Sequence, residues 1–100
     1  MRQFAILFEE RATRAVEKIR VDLGPIRADA FDDAMARALE RLQTLPWMGP
    51  PAFLGLRWSK TYRRLLVGRT GYLFFYRVHE VAELIFVVSI RHEKQRPTRL

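Results

Sequence analysis

The chain has 100 residues, 49% of them hydrophobic and 29% charged, with two histidines and no cysteine. That is a globular composition with room for one core, so a single domain over residues 1–100 is expected, without disulfides or thiolate chemistry. The histidines are not spaced as metal ligands, so neither a metal site nor a cofactor is expected. Charge is divided unevenly. Residues 1–50 hold eight Lys/Arg against eight Asp/Glu, whereas residues 51–100 hold ten against three and carry the whole formal +7. A basic excess confined to one half implies an anionic partner for that half. The longest apolar run, Leu84 to Ile90, is strand-sized and far short of the ~18–20 residues of a membrane span. Met1 to Phe8 is too short for a signal peptide before Glu9-Glu10-Arg11 interrupts it, and a cytoplasmic protein is expected.

Gln3 to Phe8 reads as a short strand. The period then changes: Ala12, Ala15, Val16, Ile19 and Leu23 form one stripe of an α-helix, with Arg11, Arg14, Glu17, Lys18 and Asp22 opposite. Glu10 and Arg14 make an attractive pair four residues apart, offset by repulsion between Arg14 and Lys18. Gly24 suits the left-handed position that ends a helix, and Pro25 suits the first turn of the next. The second helix is predicted from Pro25 to about Gln43, with Phe31, Ala34, Met35, Ala38, Leu42 and Leu45 as its apolar stripe. Its aspartates (Asp29, Asp32, Asp33) precede its arginines (Arg37, Arg41), in agreement with the helix dipole. Pro46, Gly49, Pro50 and Pro51 argue against regular structure over roughly ten residues. Trp47, Met48, Phe53 and Leu54 are too apolar for a solvated linker, so this loop is expected to lie across the edge of the core.

Period two follows. Tyr62 to Val67 reads as a strand, Gly68-Arg69-Thr70-Gly71 as a hairpin turn, and Tyr72 to Val78 as the return strand. On that return strand Tyr72, Phe74, Tyr76 and Val78 share one face, and Leu73, Phe75 and Arg77 the other. His79 to Glu83 is expected to form a connection. Leu84 to Ile90 is apolar at nearly every position, the pattern of a strand covered on both faces. The order β-α-α-β-β-β makes an α+β domain, a helical hairpin packed on a mainly antiparallel sheet.

This order, with Pro46 after the second helix, Leu56-Arg57 and Tyr62-Arg63-Arg64-Leu65-Leu66-Val67 in the meander, resembles the RelE/ParE superfamily of type II toxin–antitoxin toxins. So do Gly71-Tyr72, Phe75-Tyr76-Arg77-Val78, and Val88-Ser89-Ile90-Arg91-His92 running into Arg96-Pro97. The resemblance implies a cytoplasmic toxin held in a hetero-oligomer with a cognate antitoxin. It implies one of two actions, cleavage of mRNA on the ribosome or poisoning of DNA gyrase. A fold does not choose between them.

RNA cleavage requires a base for the 2′-hydroxyl, an acid for the leaving oxygen and cations for the phosphate. Lys60, Arg63, Arg64, Arg69, Arg77 and Arg91 are candidate cations. The late tyrosine common in RelE-like enzymes has no counterpart, because no tyrosine follows Tyr76. His92 is the remaining proton-transfer candidate, giving His92, Arg64 and Arg91 as the set if the chain is a ribonuclease. Against this, a histidine at a strand end is more often structural. His79, in the expected turn, is read as solvated. Of Arg63 and Arg64, adjacent on a strand, one must face the helices, lay its stem over them or pair with their acids. Tyr72, Phe74 and Tyr76 could stack bases, but at strand spacing beneath helices they are read as core.

A gyrase poison needs a shaped, charged surface and no acid–base pair. The Arg91 to Pro97 segment resembles the basic, proline-terminated end of ParE-like members, and the expected target-binding set is Arg64, Arg69, Arg91, His92, Lys94 and Arg96. Two departures, Leu73 where relatives carry a base and a first helix without a Ser/Thr-Pro cap, mark a divergent sequence. ParE-like gyrase poisoning is therefore the favoured expectation, with ribosome-dependent mRNA cleavage and a non-toxic nucleic-acid-binding module as alternatives. The antitoxin is expected to fold on binding, its acids facing the arginines of residues 57–77. Trp47, Trp58, Arg57, Arg63 and Arg77 are the expected antitoxin contacts.

Overall fold

A computed structural model describes residues 3–54 and 57–94 and, within these, all side chains except those of residues 53–54 and 57–61. Seven elements follow in order: β1 (Ala5–Phe8), α1 (Glu10–Leu23), α2 (Pro25–Thr44), β2 (Pro51–Leu54), β3 (Arg57–Leu66), β4 (Tyr72–His79) and β5 (Leu84–His92). The strands form one sheet in the order β1-β5-β4-β3-β2, antiparallel throughout except for the parallel β1–β5 pair.

The helical hairpin forms as its periodicity predicts. Gly24, at φ 82, ends α1 with its N–H donating to the Arg20 carbonyl (3.2 Å), and Pro25 opens α2. Glu9 sits at the N-cap of α1 without a side-chain capping bond, while Glu10 and Arg14 form the pair expected on its exposed face. The hairpin covers one face of the sheet. Ala12, Ile19, Phe31, Met35, Ala38 and Leu42 from the helices pack with Phe74, Tyr76, Ile85, Val87 and Ile90 from the strands.

The proline-rich segment holds more structure than expected. Pro51–Leu54 pairs with β3 at the sheet edge, and β3 begins at Arg57, five residues before Tyr62. Pro51 is tolerated because it is the first residue of an edge strand, where its missing N–H breaks no interior ladder; the register shifts directly after it. The preceding loop crosses the core edge as expected. Gly49 is buried, its N–H donates to the Tyr76 phenol oxygen (3.0 Å), and the Arg63 guanidinium donates to its carbonyl (2.8 Å). A Cβ at Gly49 would lie 2.2 Å from the Arg64 carbonyl oxygen, so only glycine fits there.

Two further strand expectations are revised. His79 closes β4, and the turn begins after it, with its Nδ1 accepting the Ala82 N–H (3.4 Å). β5 is interior to the sheet, but the described helices cover only one of its faces. On its other face Phe86 meets the one arginine of β4, with the Arg77 guanidinium 4.6 Å from the centre of the ring. An apolar run can thus mean one helix-covered face and one face screened by long cationic side chains.

Candidate functional site

The face of the sheet away from the hairpin carries Arg64, Arg77 and Arg91. Strand pairing determines its membership: Tyr62, Arg64 and Leu66 on β3 lie opposite Arg77, Phe75 and Leu73 on β4. In turn Arg77 opposes Phe86 on β5, Phe75 opposes Ser89, and Leu73 opposes Arg91. Phe86 pairs with Leu7 of β1, which is 48% exposed.

A bulge decides which basic residue reaches this face. Phe75 pairs with Ser89 and the next residue, Tyr76, pairs with Val87, so Val88 is the extra residue on β5. Strict alternation from buried Ile85 would turn Arg91 toward the hairpin and His92 away from it. The extra residue reverses both, as bulges do when they re-aim a side chain. Arg91 accordingly places its guanidinium 5.8 Å from the Phe75 ring centre on the bare face. His92 sits edge-on to Tyr72 (5.0 Å), which is itself edge-on to Phe31 of α2 (5.4 Å). The His92 Nδ1 accepts the Lys94 N–H (3.1 Å).

The ribonuclease set is therefore divided by the sheet: Arg64 and Arg91 share the bare face, and His92 lies on the hairpin side. Arg69 occupies the β3–β4 turn beside α2, and Lys94 follows the end of β5 as an exposed residue. Arg96 lies outside the described residues, as do the side chains of Arg57, Trp58 and Lys60. Of the expected antitoxin contacts, Trp47 is 44% exposed and rests edge-on against Phe4 (5.8 Å). Arg63 faces the hairpin side, as one of the two adjacent arginines must, but it binds the Gly49 carbonyl rather than helix acids. Arg77 is on the bare face, 3.9 Å from the Glu9 carboxylate. Tyr72, Phe74 and Tyr76 lie on the hairpin side, the last two fully buried in the core.

Alternation on the return strand already set Phe75 on the Arg77 face, but Tyr62 and Phe86 were not expected as parts of this surface. Tyr62, half-buried, is the one tyrosine that strand pairing puts beside Arg64 and Arg77. Its even-numbered spacing to Arg64 was the available signal. Phe75 and Phe86 lie under Arg91 and Arg77, which lets the guanidiniums stand over ring faces while remaining open to a ligand. On the other face, burial pushes the Tyr76 phenol above its ordinary pKa, partly offset by the Gly49 N–H and the nearby Arg63. No group of three or more His, Cys, Asp or Glu that could hold a metal ion occurs among the described residues. No helix among them is long and apolar enough to cross a membrane.

The family model described as ParE toxin of type II toxin-antitoxin system, parDE, matches residues 6–97. The chain belongs to the ParE toxin family. It is thus a type II toxin–antitoxin toxin of the RelE/ParE superfamily. Its fold is similar to solved structures of that superfamily. The RelBE2 toxin–antitoxin complex from Mycobacterium tuberculosis aligns at 20% identity and TM-score 0.64, over 90% of this chain and 98% of that one. The intact E. coli RelBE complex aligns at 18% and 0.63, over 92% and 99%. The isolated E. coli RelE toxin aligns at 19% and 0.64, over 93% and 87%. At these identities the likeness concerns the fold. No curated protein matches the sequence significantly.

Proposed function

We propose that this toxin inhibits growth by poisoning DNA gyrase and is neutralised by a cognate antitoxin in the cytoplasm. The observation that carries this reading is the separation of Arg64 and Arg91 from His92 by the sheet. A cation cluster without its proton-transfer partner suits binding better than cleavage. The bare face then serves as the gyrase-binding surface, with Arg64 and Arg91 as its anchors. The antitoxin covers Arg77 and the exposed flank of Trp47.

Ribosome-dependent RNA cleavage is the second reading, and Tyr62 is what favours it. A phenol on the same face as Arg64, Arg77 and Arg91 could exchange a proton while the arginines hold the phosphate. The two readings separate in parallel assays of gyrase supercoiling and of a translating extract. Gyrase poisoning requires blocked supercoiling or trapped cleaved DNA, with mRNA intact. Codon-positioned mRNA cuts, lost in Tyr62→Phe while gyrase remains active, would replace it with the ribonuclease reading.

A further inference from the structure

A second basic site lies on the hairpin side of the molecule, apart from the bare face. The β3–β4 turn approaches the flank of α2 and encloses a cleft of about 560 Å³. Arg27 and Arg37 of α2 and Arg69 of the turn stand on its rim; Ala30, Phe31 and Ala34 line its apolar floor. No Asp or Glu lines it, and none of these three arginines has an ion pair among the described residues. The turn that carries Arg69 is fixed in place. The Thr70 hydroxyl donates to the Val67 carbonyl (2.6 Å) and accepts the Tyr72 N–H (3.1 Å).

We propose that this cleft binds a short stretch of single-stranded nucleic acid, its phosphates on Arg27, Arg37 and Arg69 and a base against the apolar floor. Three features favour this ligand. First, all the rim cations are guanidiniums, whose planar forks match phosphate oxygens in pairs. Second, Arg27 and Arg37 are ten helical residues apart, about 15 Å at 1.5 Å per residue, the span of two or three phosphates along a strand rather than the reach of one small anion. A smaller hollow lined by Arg37 and Arg41, with Glu40 between them in sequence, adjoins the cleft along α2. Third, the alanines leave the floor low and the half-buried Tyr72 lines it, so a base can approach an aromatic ring between the cations, the combination of charge and stacking surface that single strands use. A duplex, wider and with its bases stacked inside, could touch only the rim. The assignment does not depend on whether gyrase or the ribosome is the toxin's target.

The test is fluorescence anisotropy of the full chain with a short labelled DNA single strand of mixed sequence, over a salt series. The rim arginines are all exposed, so the triple variant R27A/R37A/R69A should keep its fold, checked by circular dichroism. Its affinity should fall at least about ten-fold, and its log–log salt slope should shrink by about two, from three lost phosphate contacts at roughly 0.7 each. Ala30→Glu, which adds one acid to an exposed position in the floor, should weaken binding several-fold by itself. R14A/K18A on the exposed face of α1, outside both basic faces, should stay within about three-fold of the parent. The assignment is overturned if the triple variant binds like the parent, or if R14A/K18A loses as much affinity as the triple. It is also overturned if a poly-glutamate peptide at equal charge displaces the strand, since the cleft would then be a site for an acidic protein segment.

Discussion

One sheet presents two faces made by the same strands, and they are stabilised in different ways. On the hairpin side Phe74, Tyr76, Ile85 and Val87 are fully buried and close-packed. On the bare side the rings of Phe75 and Phe86 lie under guanidiniums, and Leu7 and Leu66 remain 48% and 43% exposed. The first face answers to packing and hydrogen-bond satisfaction, where a lost atom costs stability. The second keeps its charge at the surface, where a lost cation costs binding. A substitution on either face should therefore move one property and leave the other nearly alone.

The largest expected loss is on the packed face. Phe74→Ala should destabilise by about 3–5 kcal/mol, the usual cost of removing a buried aromatic ring, read as a lower midpoint in urea. A loss below about 1 kcal/mol would mean that the two faces are not packed so differently. Gly49→Ala tests the same face through the backbone. Its Cβ would lie 2.2 Å from the Arg64 carbonyl, so the loop must leave the sheet, with an expected loss of about 2–4 kcal/mol. Thermal melts would refute this if the variant kept the parent's midpoint.

Tyr76→Phe should cost about 1–3 kcal/mol, because the buried Gly49 N–H then loses its acceptor. It should also change the alkaline limb of stability. The phenol is raised above 10.0 by burial, so the folded state holds its proton more tightly than the unfolded one. The contribution is complete below the unfolded value and is lost as pH rises through the folded one. Urea midpoints of the parent should fall above pH ~10 more steeply than those of Tyr76→Phe. Parallel slopes would contradict this.

These contrasts also mark what the sequence could convey. The hairpin was legible because its stripes are long, strongly periodic and punctuated by Gly24-Pro25. The β3–β4 hairpin was legible from its turn and from alternation through Tyr72, Phe74 and Tyr76. β2 was hidden because Pro50 and Pro51 argue locally against a strand, while its pairing depends on β3 residues supplied later in the chain. The site was half-legible. Alternation separates Arg63 from Arg64 and Arg91 from His92, but which of Arg91 and His92 faces the cations depends on the extra residue at Val88. β5 is so uniformly apolar that no pattern in it reveals a bulge. The proposed function rests on a pairing irregularity, and pairing is a tertiary property.

On the bare face the smallest stability effect is expected at Arg77, and it gives the sharpest separation of the two faces. Its guanidinium stands 3.9 Å from the Glu9 carboxylate and 4.6 Å from the Phe86 ring centre. Both ion-pair partners are more than a third exposed, so solvent screening leaves the pair only a few tenths of a kcal/mol, and the ring contact adds about 0.5–1. Arg77→Ala should therefore shift stability by less than about 1 kcal/mol, with Glu9→Gln smaller still and a coupling between them near ~0.3. Affinity for the antitoxin should nevertheless fall several-fold in Arg77→Ala, because the charge is open to a partner's carboxylate. A coupling above about 1.5 kcal/mol in the double-mutant cycle would mean that the pair is structural and that cations on this face help to hold the fold. Weak coupling with reduced antitoxin binding would assign Arg77 to the partner, as the exposure of both side chains indicates.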